Sequence, residues 1–164
     1  TAAPGRTAAP PGEFAARNAK AIAVSVDSVE DHLRWVPDIA EVAGVDVDFP
    51  IIADEDRSVS QAYDMIHPGE GDTSTVRSVF LIDPSNTVRL TITYPKSVGR
   101  NFTEILRALD ALQATDRSPI STPAEWVPGD RVIVAPAIAT DDARERFANV
   151  DEVKPYLRFA DAPA

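Results

Sequence analysis

The sequence predicts an α/β fold, a mixed sheet flanked by helices, with a small α+β extension at its C-terminal end. Two observations carry that expectation. Short apolar runs alternate with helical periodicity in the order strand, helix, strand, helix, strand, hairpin, helix, the order of a sheet with an antiparallel edge. After Gln113 the pattern changes, with Pro119, Pro123 and Pro128 breaking up short apolar runs. The expected division is therefore a domain over residues 1–113 and an extension over residues 114–164.

Residues 1–12 are small and proline-rich without periodicity, and read as a linker. Residues 13–18 look like the last turns of a helix, stopped by Asn18. The apolar run over residues 21–26, between Lys20 and Asp27, has the character of a buried parallel strand. A helix follows, capped by Asp27 or Ser28, with Glu30 and Asp31 at its positive end. Val29, Leu33, Val36, Ala40 and Ala43 share one of its faces. Pro37 should kink it or end its first half, and Gly44 should stop it.

Residues 49–53 form a brief strand, 54–58 a polar turn, 59–65 a short helix and 67–73 a loop. The clearest local signal comes next. Val79, Phe80, Leu81 and Ile82 are continuously apolar, as in a strand buried on both faces. Asp83-Pro84-Ser85-Asn86 has turn chemistry, and from Val88 to Tyr94 apolar and polar residues alternate, as in an edge strand with one wet face. Asn101 and Glu104 then suit a helix start, and Phe102, Ile105, Leu106, Leu109 and Leu112 follow at helical spacing. In the extension, a strand over 131–134, a helix over 140–147 and a tail through Tyr156 and Phe159 are expected.

At 164 residues the chain can build one good core with an appendage. Its net charge of -10 argues against nucleic acid and anionic membrane surfaces as partners. No run approaches a membrane span or reads as a signal peptide, which favours the cytoplasm. Cysteine is absent, which removes disulfides, thiolate metal sites and thiol nucleophiles from these residues. His32 and His67 are too few for a histidine-rich metal site, and His32 reads as a surface or partly packed residue. Asp54-Glu55-Asp56 lacks the EF-hand spacing and reads as a solvated turn. Asp141-Asp142 suits a helix N-terminus, and Trp35 and Trp126 suit packing. With no glycine-rich phosphate loop and no G-x-S-x-G elbow, neither a cofactor nor a metal is expected.

Arg77 stands two residues before the apolar run and, by alternation, shares a face with Val79 and Leu81. Its charge is permanent and its donors form a rigid fork. From position alone it is either a strand-mouth arginine reaching to water or an anion-stabilising catalytic group.

The stretches from Ala21 to Trp35 and from Tyr94 to Arg107, the latter opening Y-P-x-x-x-G-R-N, closely resemble the one-cysteine peroxiredoxins of the peroxiredoxin 6 subfamily. Phe49-Pro-Ile-Ile52, Val76 to Asp83, Thr122 to Asp130 and Tyr156-Leu-Arg158 fit the same pattern in the same order. The resemblance implies a thioredoxin-like domain with a C-terminal dimerisation extension. It implies reduction of hydrogen peroxide and organic hydroperoxides by a cysteine thiolate, with an external thiol as reductant. Arg77 matches the family's strand arginine beside that cysteine, and Arg100 matches a second arginine near the pocket. A homodimer formed through the edge strand of residues 87–93 and the C-terminal extension is implied as well.

Departures from the family pattern are equally specific. Thr1 falls directly after the position of the catalytic Cys, so the family's Pro, Thr and Cys are expected to lie outside these residues. Ala3 and Pro4 replace a Glu and a Leu, and Pro10-Pro11-Gly12 replaces helical sequence at a cost of roughly 3 kcal/mol per interior proline. The family strand leading into the Cys would lie between residues 21–26 and 76–82, so those two strands should not pair directly. A second reading is a cysteine-free module kept for dimerisation or partner contact, which Ala2-Ala3-Pro4 favours while Arg77 and Arg100 favour the enzyme. The phospholipase activity of some members is discounted, because Ser85 stands at the required Asp position.

Overall fold

The computed structural model describes residues 11–44, 46–66 and 75–163. The leader over residues 1–10, and His67 with the loop to Thr73, lie outside the described residues. By compactness the chain divides into Thr1–Phe102 and Thr103–Ala164. The division falls at the first turn of the long helix, earlier than the change of composition after Gln113.

The first unit opens on α1 (Pro11–Ala15). Pro11 was expected to lie outside any helix; it takes the first helical position, where its missing N–H costs no hydrogen bond. Asn18 stops the chain as expected, in the left-handed region at φ 52°. The Ala19 and Asn18 N–H groups donate to the carbonyls of Phe14 and Ala15, which together satisfy the end of the turn.

β1 (Ala23–Ser25) pairs in parallel with β2 (Ile51–Ala53), joined by α2 (Val29–Ala43). Ser28 caps α2 by accepting the Asp31 N–H at 3.1 Å, and Gly44 ends it at φ 65°. Of the two effects expected of Pro37, a kink or an end to the first half, the second does not occur: the helix runs through Pro37 to Ala43. The carbonyl that Pro37 leaves without a donor belongs to Leu33, which is exposed, so water can take the missing place. The buried stripe is also rotated: Val29 is 59% and Leu33 73% exposed, whereas His32 is 7% exposed and Val36 and Ala40 are half-buried. His32, expected to be a surface or partly packed residue, is buried and meets the Trp35 ring edge-on at 5.2 Å.

Asp54 also departs from the expectation. It is not a solvated residue of a polar turn but 2% exposed, and its carboxylate accepts the N–H groups of Val59 (2.9 Å) and Ser60 (2.7 Å) and the Ser60 hydroxyl (2.6 Å). It thereby caps α3 (Ser58–Ala62), whose preceding residue Arg57 offers no side-chain cap. Glu55 and Asp56 are exposed, as expected of the turn.

β3 (Arg77–Ile82) and β4 (Val88–Tyr94) form the anticipated antiparallel hairpin, with Arg77 opposite Tyr94 and Leu81 opposite Leu90. Asp83 organises its turn, accepting from the N–H groups of Ser85 and Thr87, while Asn86 takes φ 63°. β3 was expected to be buried on both faces. Val79, Phe80 and Leu81 are only half-buried, because β4 is the one strand beside β3 among the described residues. β1 and β3 sit in separate two-stranded sheets and share no ladder, as the resemblance requires. The Tyr63 ring packs edge-on against Phe80 at 5.0 Å and ties the end of α3 to this hairpin.

The second unit begins with α4 (Phe102–Arg117), which continues past Gln113. Glu104 and Arg107 pair through two hydrogen bonds on its first turns. An antiparallel sheet follows in the order β5 (Ile120–Ser121), β6 (Val132–Val134), β8 (Leu157–Ala160), β7 (Asp151–Lys154), with α5 (Thr140–Arg146) inserted between β6 and β7. The expected tail is therefore two strands, β7 and β8, recruited by long-range pairing of Val132 with Ala160 and Ile133 with Phe159. One core joins Ala114, Ile120, Trp126, Val132, Val134, Ile138, Ala143, Phe147 and Ala160. Trp126 packs there as expected, its indole N–H donating to the Asp130 carbonyl.

Candidate active site

The candidate site lies at the open end of the β3–β4 hairpin. Arg77 begins β3 and Tyr94 ends β4, so the two are cross-strand partners. Pro95 stops the strand, a tight turn forms between Pro95 and Val98, and Arg100 arrives just before α4. Both arginines singled out from the sequence thus belong to one short stretch of surface in the first unit.

Arg77 is exposed, and its Nε–H donates to the Lys96 carbonyl at 2.7 Å. That bond fixes the plane of the guanidinium and leaves Nη1 and Nη2 without a partner among the described residues. Arg100 is exposed overall, yet protein crowds its guanidinium. Burial first, and then the charge of Arg77, hold its pKa below the usual guanidinium range, with the Tyr94 phenol acting in the opposite sense. The group stays fully charged. Two permanent cations are therefore held close enough to repel each other, and no carboxylate pairs with either among the described residues. In a chain of net charge -10 this is an unusual use of arginine. An anion, or a group becoming one, would relieve the repulsion and take the free donors.

Tyr94 and Lys96 were not singled out in advance. Their signal was present only in register, since Tyr94 closes the alternating strand opposite Arg77. His32, Asp54 and Arg158 are buried polar groups elsewhere in the chain, each built into its own unit. Among the described residues no cluster of acidic, histidine or cysteine side chains could hold a metal ion, and no helix is long and apolar enough to cross a membrane.

Comparison with known proteins places the chain. The AhpC/TSA family matches residues 8–91, and the C-terminal domain of 1-Cys peroxiredoxin matches residues 111–149. A 1-Cys peroxiredoxin of Dictyostelium discoideum is 49% identical over 160 residues, which cover 97% of this chain and 66% of that protein. The chain thus spans just under two thirds of that relative's length. Among the solved structures that align with it is a yeast mitochondrial 1-Cys peroxiredoxin (TM-score 0.84, 47% identity, 92% of this chain and 74% of the other). Another is a mutant of peroxiredoxin 6 from Arenicola marina (TM-score 0.85, 41% identity, 93% and 74%). The thioredoxin-like fold expected from the resemblance is the fold of these structures.

Proposed function

This chain belongs to the AhpC/TSA family, and we propose on that premise that it forms the larger part of a one-cysteine peroxiredoxin. The activity is thiol-dependent reduction of hydrogen peroxide and organic hydroperoxides in antioxidant defence. The observation that carries this reading is the pair of arginines, Arg77 and Arg100, held together without a carboxylate. A thiolate attacks one peroxide oxygen and the O–O bond breaks; the peroxide proton leaves with the departing oxygen as water or an alcohol, and the sulfenate left on sulfur takes a proton from solvent to become the sulfenic acid. Negative charge moves from sulfur to the departing oxygen. The free Nη donors of Arg77 and the Arg100 guanidinium suit both ends of that movement.

The 164 residues contain no cysteine and cannot perform this step alone, so the nucleophile has to be supplied by other residues of the protein. With no second cysteine here to resolve it, the sulfenic acid would pass to an external thiol, which forms a disulfide with it and releases water. The yeast mitochondrial relative is resolved through glutathione and thioredoxin systems. The proposed compartment is the cytoplasm, which provides such thiols, and cell fractionation tests it against the mitochondrial alternative. A homodimer would form through the strand of residues 87–93 and the C-terminal extension. In support, β4 is a sheet edge carrying a single charge, Arg89, an unprotected pairing template. Light scattering at micromolar concentration should give twice the chain mass, and a monomer would refute the interface.

In the protein that carries the thiol, Arg77→Lys should lower the rate of peroxide consumption by about 10²-fold or more, because the fork of donors is lost although the charge is kept. An unchanged rate removes Arg77 from the chemistry. The absence of cysteine favours one other reading, a non-catalytic thioredoxin-fold module for dimerisation or partner binding. Failure of the whole protein to consume peroxide or to titrate as a thiol would select it.

A further inference from the structure

The loop between β4 and α4 has to carry Arg100 towards a group of its own charge. Pro95 fixes one torsion and the Val98 N–H closes a turn on the Pro95 carbonyl, but Ser97 and Gly99 constrain the rest of the loop little. Arg77 repels Arg100, and an untethered loop would relax by swinging away. Among the bonds that oppose this, two come from the side chains of the terminal cross-strand pair. The Arg77 Nε–H holds the start of the loop through the Lys96 carbonyl at 2.7 Å. The Tyr94 hydroxyl oxygen accepts the backbone N–H of Asn101 at 3.4 Å, one residue beyond Arg100.

We propose that Tyr94 is a positioning residue whose phenol oxygen, by accepting the Asn101 N–H, holds Arg100 beside Arg77 so that both guanidinium groups take one small anion together. This rests on the reading of the arginine pair as an anion site, and deepens it. The phenol is suited to the task because it is half-buried at the strand end, has only two torsions between backbone and ring, and presents its oxygen at the far end of a rigid ring. A phenylalanine keeps the ring and its packing and removes only the acceptor.

Sulfate serves as the probe, titrated into the 164-residue chain while the Arg Nε–H resonances are followed by NMR. In the unsubstituted protein sulfate should shift the signals of Arg77 and Arg100 together, and Arg77→Ala should abolish the response. Tyr94→Phe should weaken sulfate binding about 3- to 10-fold, the range expected for one hydrogen bond of about 1 kcal/mol. In an Arg100→Ala background the same substitution should add nothing, because Tyr94 acts through Arg100. A Tyr94→Phe protein that binds sulfate as well as its parent overturns the proposal while leaving the arginine site intact. So does an equal loss in the Arg100→Ala background, which would show general loosening, and melting temperatures without sulfate check the same point. If the unsubstituted chain gives no sulfate response, the anion reading falls and the role of Tyr94 falls with it.

Discussion

In residues 103–164 four strands share one antiparallel sheet, and Val132, Val134, Ala143 and Ala160 are completely withdrawn from water. Among the described residues of 1–102 four strands form two separate pairs, and the buried apolar side chains are Met65 and Val76. What is buried in the first unit is largely polar: His32, Asp54 and Ser60. The C-terminal unit is held by non-local apolar packing, in which β6 and β8 bring residues far apart in sequence into one core. The N-terminal unit is held, as described, by local devices such as the Ser28 and Asp54 caps and the turn bonds of Asp83. The candidate site sits in the less closed unit, at strand ends where donors are available for a ligand.

The sharpest test of this contrast is Arg158, among the described residues the one charged group sealed in the C-terminal unit, at 1% exposure. Among those residues no carboxylate pairs with it; it donates to the carbonyls of Ile138 and Ala135 and, more distantly, to the Thr140 hydroxyl, pinning the loop before α5. Arg158→Met keeps the apolar stem and strips those carbonyls of their donors. The loss should be about 3–5 kcal/mol, read from chemical denaturation. A loss under about 1 kcal/mol would mean that water reaches the loop and that this core is not sealed.

An intermediate effect is expected from pH in the N-terminal unit. Burial pushes the Asp54 carboxyl upward, but the Ser60 hydroxyl and the Val59 and Ser60 N–H groups outweigh it and hold the pKa below the ordinary carboxylate value. The folded state therefore binds this proton less readily than the unfolded state. The stabilisation is full above the unfolded pKa of about 3.9 and is lost as the pH falls through the lower folded value. Asp54→Asn should melt lower than its parent at pH 7, and the gap should close on acidification below about pH 4. Parallel melting curves across that range would show that the cap carries no charge-dependent stability.

The smallest effect tests the open face of α2. Leu33, at 73% exposure, should tolerate Leu33→Ser within about 0.5 kcal/mol. A loss above about 1 kcal/mol would show that another surface covers Leu33 in solution and would narrow the difference between the two units.

The hairpin from Arg77 to Tyr94, the stops at Asn18 and Gly44, the Ser28 cap and the start of α4 were all legible from sequence. Each is decided within a few residues, by turn chemistry, capping or periodicity. Arg77 and Arg100 are candidates through the resemblance of their surrounding motifs. Other features required the tertiary structure. Periodicity defines an apolar arc on α2 but not which edge of it meets β2, so the burial of His32 and the exposure of Leu33 were decided by packing. The final strands looked like a tail because nothing near Tyr156 announces that Phe159 will pair with Ile133. The role of Tyr94 was hidden for the same reason: a residue opposite Arg77 in register and a loop N–H beyond Arg100 become neighbours only when the hairpin closes. Short-range chemistry is written in neighbouring residues, while pairing across many residues depends on which surfaces remain to be covered once the local elements have formed.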